Sequence, residues 1–268
     1  MFSLPSVLNQ SLNLTVPGYK NLIIKDSPRF YYRLDEPVNS TQIIDHSGNN
    51  FHAIPGASLQ YRQPNIVTNR SAGCTYFPSV SNTALPGEIV TVPTQLTTTT
   101  SFSIEAWIKV DSTKSGDTNR SLYGLDTGTP NRVFFEFTLT NLNGSSPQLN
   151  CILDSDSSFV RLFPIVSWVN TQVYHVVLVL SSTISSDRRL HINNVEYNLS
   201  TTFGASRVTA IDRLLTSASQ SDRPTWYIGR GYNDARNYGG LISDFAVYTY
   251  PLTQEQINTH YLKGTGQI

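Results

Sequence analysis

Apolar alternation in short segments, repeated along the chain, is the feature that most restricts its fold. In SFSIEAWIKV, Phe102, Ile104, Ala106 and Ile108 point one way and Ser103, Glu105, Trp107 and Lys109 the other, the two-residue period of a half-buried strand. RVFFEFTLT repeats the pattern with Val133, Phe135, Phe137 and Leu139. YHVVLVL is apolar on both faces apart from His175, as a central strand should be, and a hydrogen-bonded core imidazole is expected there. RLHINNVEYNL sets Asn193 and Asn194 between two alternating runs, and asparagine tolerates the positive φ of a tight turn, so this segment reads as a hairpin. Further strands are expected at FYYRL, HAI, CTYF, EIVTV, LNCIL, WYIG and LISDFAVYTY, separated by clusters of Ser, Thr, Asn, Gly and Pro. Many short strands with such turns predict an all-β sandwich or barrel.

Helical periodicity is scarce. In PLTQEQINTHYL, Thr253 stands at an N-cap with Gln256 three residues on, Ile257 and Tyr261 lie one turn apart and Gly264 marks the stop, which predicts a helix from Thr253 to Leu262. SRVTAIDRLL spaces Val208, Ile211 and Leu215 for one or two amphipathic turns. Residues 1–27 carry too little periodicity to assign and are expected to be an N-terminal arm that packs on a neighbour, leaving 28–268 as one domain.

Of the 268 residues 39% are apolar, enough for a sizeable core, and only 14% are charged. The 19 basic residues balance the 19 acidic ones, so no excess of positive charge is available for a phosphate backbone and nucleic acid is not an expected partner. The longest apolar run, Val173 to Leu180, is far shorter than the roughly 20 residues of a membrane-spanning helix, so no membrane insertion is expected. The opening MFSLPSVLNQ has neither the basic nor the apolar region of a secretory signal. Cys74 and Cys151 read as two buried thiols or as one bridge between strands.

Two segments carry candidate chemistry. GRGYNDARNYGG, residues 229–240, offers Tyr232, Asn233, Asp234, Arg236, Asn237 and Tyr238 between glycines, the mixture of aromatic faces, amides and planar donors that grips sugar hydroxyls; the alternative is an ordinary polar turn. Trp168 and Tyr123 are weaker candidates of the same kind. The turn from Asp45 through Asn49 can supply several oxygens to a calcium ion, or Asp45 closes an Asx-turn without a metal. The five histidines are isolated and form no zinc or triad pattern. Retaining glycan hydrolysis needs two carboxyl groups about 5 Å apart. None of the six glutamates is followed two residues later by Asp, which leaves Glu105 and Glu136, on neighbouring strands, as the remaining pair.

FYYRLDEP, DHSGNNFHAIPG, SFSIEAWIKV, YHVVLVLSS, RLHINNVEYNL, WYIGRG and GGLISDFAVYTYPLTQEQINTHYLKG, in this order, resemble the laminin G-like, concanavalin A-like jelly rolls. The closing pattern is carried by Gly240, Leu241, Asp244, Tyr248, Leu252, Thr253, Gln256, Ile257 and Tyr261, and the resemblance covers roughly residues 28–264. Asn194 departs from the family's hairpin Gly, and residues 203–223 exceed a typical connection. The resemblance implies two antiparallel sheets face to face, one with a shallow concave outer groove. It also implies a binding role toward carbohydrate or protein surfaces and a structural calcium, with Asp244 approaching the turn of Asp45 and Asn49.

The expected function is therefore a non-enzymatic glycan-binding or adhesion module whose partner is a glycan or glycoprotein surface. The lack of a recognisable secretory signal and of a charge bias, the surface-recognition fold that the resemblance implies and the Ser, Thr and Asn-rich composition together suggest a component assembled on a particle such as a virion or phage tail. A capsid or tail subunit packing on neighbouring protein subunits is the alternative, and a glycan-cleaving enzyme is a weaker one.

Overall fold

The computed structural model describes residues 18–68, 70, 72–78, 89–91, 101–111, 119–126, 133–140, 148–155, 158–162, 169, 171–181, 188–198, 225–230 and 238–268. The elements in order are α1 (Tyr19–Lys25), β1 (Phe30–Tyr32), β2 (Ile54–Pro55), β3 (Gln60–Gln63), β4 (Cys74–Phe77), β5 (Ile89–Thr91), β6 (Ser101–Val110), β7 (Asn119–Asp126), β8 (Val133–Thr140), β9 (Gln148–Ser155), β10 (Ser158–Leu162), β11 (Val173–Ser181), β12 (Arg189–Ile192), β13 (Val195–Asn198), β14 (Thr225–Ile228), β15 (Gly240–Tyr248) and α2 (Gln254–Gly264). The segment 206–215 and the long connection 203–223 lie outside the described residues.

Among the described residues the strands form two antiparallel sheets. One runs β13-β12-β11-β6-β15-β4-β3 with β1 also on β15, and the other runs β10-β9-β8-β7-β14-β5-β2. Their inner faces share a core in which Phe102, Ile104 and Phe245 of the first sheet meet Tyr123, Phe137 and Trp226 of the second. This is the jelly-roll sandwich expected from the alternation, and Asn193 and Asn194, both at positive φ, make the predicted hairpin.

β6 differs from its half-buried expectation. Its second face, carrying Ser103, Glu105 and Trp107, is buried as well, because α1 and α2 lie over the outer face of the first sheet. Tyr19 and Ile23 of α1 and Ile257 of α2 join Trp107, Val177, Val179 and Tyr248 in this second core. Residues 19–25 of the expected arm therefore pack on their own sheet. Nor does this sheet present an open groove along its whole outer face. Trp107 also explains Gly264: a Cβ there would enter the indole ring, so the glycine that reads as a stop is the last helical residue, kept small by packing.

A candidate recognition cleft beside the 229–240 loop

Asp45 and Asp244 are the positions expected to share calcium, and their surroundings decide whether they can. Asp45 Oδ1 accepts the amides of Tyr31 and Ser47, each at 2.9 Å. Oδ2 accepts the Ser47 hydroxyl at 2.8 Å and the Phe51 amide at 2.9 Å. The amide of Asn49 points its nitrogen at the carbonyls of Pro28 and Arg29. Asp244 is 1% exposed, ion-paired with Arg70, and accepts the hydroxyls of Tyr31 and Ser243. Calcium seeks unengaged oxygens. Here the carboxylates are filled by N–H and O–H donors, and the cation beside Asp244 is a guanidinium. Asp45, Asn49 and Asp244 thus do not fit a shared ion, and the Asx-turn reading describes the turn.

Glu105 does not pair with Glu136. β6 and β8 belong to different sheets, and Glu105 is fully buried beneath the helices. It accepts Tyr19 Oη at 3.1 Å, Tyr248 Oη at 2.9 Å, His175 Nε2 at 2.8 Å and His260 Nδ1 at 2.9 Å. His260 Nε2 in turn reaches Asp26 at 2.9 Å, so both its nitrogens face carboxylates and both must donate. Burial opposes charge on His260, yet Glu105 and Asp26 outweigh it and push the imidazole up to about 9. Burial would likewise raise Glu105, but His260 and His175 hold it well below the usual carboxylate range. This arrangement latches α1 and α2 to the sheet, with Glu105 and His260 both fully buried.

The 229–240 loop has a well-defined stem. The Tyr238 amide donates to Gly229 O at 2.9 Å, and the Gly229 amide to Leu122 O at 2.8 Å. Gly229 and Gly239 supply the positive φ the stem requires. Gly239 O accepts the Asp111 amide at 3.1 Å and Arg120 Nη1 at 3.0 Å. Tyr232, Asn233, Asp234, Arg236 and Trp168 lie outside the described residues. Tyr238 corrects its reading as a contact residue. It is 0% exposed and packs edge-on against Phe77, with ring centroids 6.4 Å apart, as the anchor of the stem. Tyr123 is core too, stacked on Trp226. Cys74 is a buried free thiol, so the bridge to Cys151 is not formed.

Beside this stem, at the end of the outer face that the helices leave uncovered, lies a cleft of about 290 Å³ lined by Gln63, Tyr76, Lys109, Asp111, Thr171 and Leu241, among others. Register explains the grouping: Lys109, Leu241 and Tyr76 stand side by side on β6, β15 and β4. Tyr76 Oη donates to Asp111 Oδ2 at 3.0 Å, which fixes the ring at the wall of the cleft, and burial followed by the Asp111 carboxylate pushes the phenol up to about 12. Residues that carry an aromatic ring, an ammonium, a carboxylate, an amide and a hydroxyl thus line one concavity. Tyr76, Gln63 and Thr171 carry no signal in the sequence because no local motif joins residues that come from separate segments, two strands and the turn before β11. The outward phase of Lys109 was the only signal.

Comparison with known proteins agrees with this architecture. A botulinum neurotoxin serotype D binding domain superposes with a TM-score of 0.56 at 16% identity, covering 93% of this chain and 53% of that one. The binding domain of botulinum neurotoxin DC in complex with rat synaptotagmin II gives 0.59 at 14%, covering 89% and 52%. A Trypanosoma rangeli sialidase in complex with sialic acid gives 0.55 at 12%, covering 93% and 37%. The chain spans about half the length of the toxin domains, and at such identities the likeness is one of fold. No curated protein matches the chain in sequence. The sequence pattern of one family matches residues 86–258, more than half of the chain. The chain belongs to the concanavalin A-like lectin/glucanases superfamily.

Proposed function

We propose that this chain is a non-enzymatic recognition module that binds a glycan or glycoprotein surface with the cleft of Tyr76 and Lys109 and the adjoining 229–240 loop. The observation that carries the reading is the convergence of the two. Asp111, whose amide donates to Gly239 O in the stem of the loop richest in sugar-gripping residues, lines the cleft together with Gly240, the residue that follows Gly239. The strands hold this wall rigidly, and recognition groups on a rigid scaffold lose little entropy on binding. The toxin binding domains of similar fold, one of them solved in complex with rat synaptotagmin II, support a binding role in general. A setting on a virion or phage particle is part of the proposal, supported by the balanced charge, the recognition fold and the Ser, Thr and Asn-rich composition taken together.

A glycan array tests it. Wild-type protein should give discrete signals, and Tyr76→Ala should lower affinity roughly ten-fold through the lost stacking partner. An array without signal at any glycan would remove the reading. Packing on neighbouring subunits is the second reading, favoured by Val38 and Ile54, which are 63% and 64% exposed; Ile54 lies on the edge strand β2. Light scattering separates the two, because packing predicts self-association that Ile54→Lys abolishes.

A further inference from the structure

We propose that His191 is the trigger of an acid-operated release built into the outer layer of the first sheet: when its imidazole takes up a proton, the β12–β13 hairpin lets go of α2. This goes beyond the recognition reading and does not depend on it, because β13 and β12 lie at the edge of the sheet opposite β4 and β3, which carry Tyr76 and Gln63 of the cleft. The placement of His191 follows from register. Leu190 and Ile192 point into the core between the sheets, so His191 between them points outward. There it stands beside Glu196 of β13 and beside Val177 of β11, which shares the second core with Ile257 of α2. The hairpin is tied to α2 and its lead-in. Asn194 bonds Asn258 at 2.7 Å and Gln254 at 3.0 Å, and Arg189 Nη2 donates to Leu252 O at 2.9 Å.

His191 is 0% exposed, and neither of its ring nitrogens has a hydrogen-bond partner. An imidazole so placed is tolerated while neutral, whereas the cation carries two N–H donors that both need acceptors. Its charged neighbours offer little. Arg189 on its own strand and His175 on β11 oppose the proton, and His175 is committed to Glu105. Glu196 Oε2 stays 3.8 Å from Nε2 and equally far from Arg189 Nη1. On α2, His260 is engaged by Glu105 and Asp26, Glu255 is exposed, and Lys263 donates to Ile268 O. Burial first, then Arg189 and His175, hold the imidazole down to about 4. A histidine whose folded pKa lies below its ordinary 6.5 supports the closed hairpin above that pH and withdraws support as acid protonates it. At pH 5 the closing equilibrium should have weakened by roughly thirty-fold.

Amide hydrogen exchange at pH 7 and pH 5, corrected for intrinsic rates, tests this together with an NMR titration of the imidazoles. Protection in β13 and in the first turn of α2 should fall by up to about thirty-fold between the two pH values, while β8 and β9 of the other sheet keep theirs. The His191 ring should titrate well below 6.5. His191→Leu, which keeps the position neutral, should hold its protection at pH 5. Glu196→Gln, at an exposed position, should lose as much as the wild type, and with the titration it decides the matter even where His191→Leu folds poorly. Equal loss in wild type and His191→Leu would overturn the proposal and assign the acid response elsewhere, first to His46, which burial also holds down to about 4. A His191 ring titrating at its ordinary value would overturn it as well. So would a loss confined to Glu196→Gln, since Glu196 would then be capturing the cation and keeping the hairpin closed.

Discussion

At the residue scale, the most consequential side chain is one that touches no ligand. Glu105 is fully buried and accepts four donors, and His260 carries the compensating charge between it and Asp26. The folded imidazole titrates at about 9 against an ordinary 6.5. Because the pKa is raised on folding, the stabilisation is complete below about 6.5 and disappears as pH rises through 9. Glu105 is shifted the other way, so its share is present above its ordinary 4.5 and is lost as the solution becomes more acid. Urea unfolding of the wild type should therefore show stability falling between about pH 6.5 and 9, by on the order of 3 kcal/mol. His260→Gln should be less stable at pH 6 and lack that alkaline limb. A limb of equal size in the variant would assign the titration elsewhere. Tyr238 teaches the converse lesson, since its composition and glycine neighbours are those of a binding loop while its ring is core. Nothing in a single sequence distinguishes an anchoring tyrosine from a gripping one.

At the scale of elements, what was legible was what one strand or one helix settles by itself. The alternation of β6 and β8, the Asn-Asn hairpin and the capping box of Thr253 and Gln256 are local, and each appears where its residues place it. The Asn194 side chain reaches Asn258 and Gln254 of α2, a contact 60 or more residues away in sequence. α1 is too short to show a period, and β3 is a polar edge strand with little apolar pattern. Both depend on contacts with distant residues, as the cleft does. Gly264 allows a test of such a contact. In an exposed helix, Gly→Ala gains up to about 1 kcal/mol. Here the added methyl would enter the Trp107 ring and overpack the interface at a cost of about 1–3 kcal/mol. Gly264→Ala should lower the melting temperature by several degrees, and a rise would show that α2 does not bear on Trp107 as described.

At the scale of the whole molecule, the sheets are tied to the loops around them by an internal cation. β15 bulges between Ser243 and Ala246, with Asp244 at φ 52°, as its edge partner changes from β4 to β1. Arg70 binds this bulge through Asp244 and Ser243, and it reaches the next segment through Asp35 at 3.0 Å and Arg33 O at 2.9 Å. Tyr31 continues the tie, its hydroxyl on Asp244 and its amide on Asp45. A bound ion could stabilise the fold only by adding to a junction whose carboxylates already hold donors, so chelation has nothing to withdraw. Melting in EDTA should match melting in calcium to within about a degree. Arg70→Met leaves Asp244 buried without its cation, which should cost about 3–5 kcal/mol, and Arg70→Lys, which keeps the charge but not the fork, should fall between. A drop in EDTA for protein shown beforehand to carry calcium, or an Arg70→Met protein that melts like the wild type, would return the stabilising role to a metal.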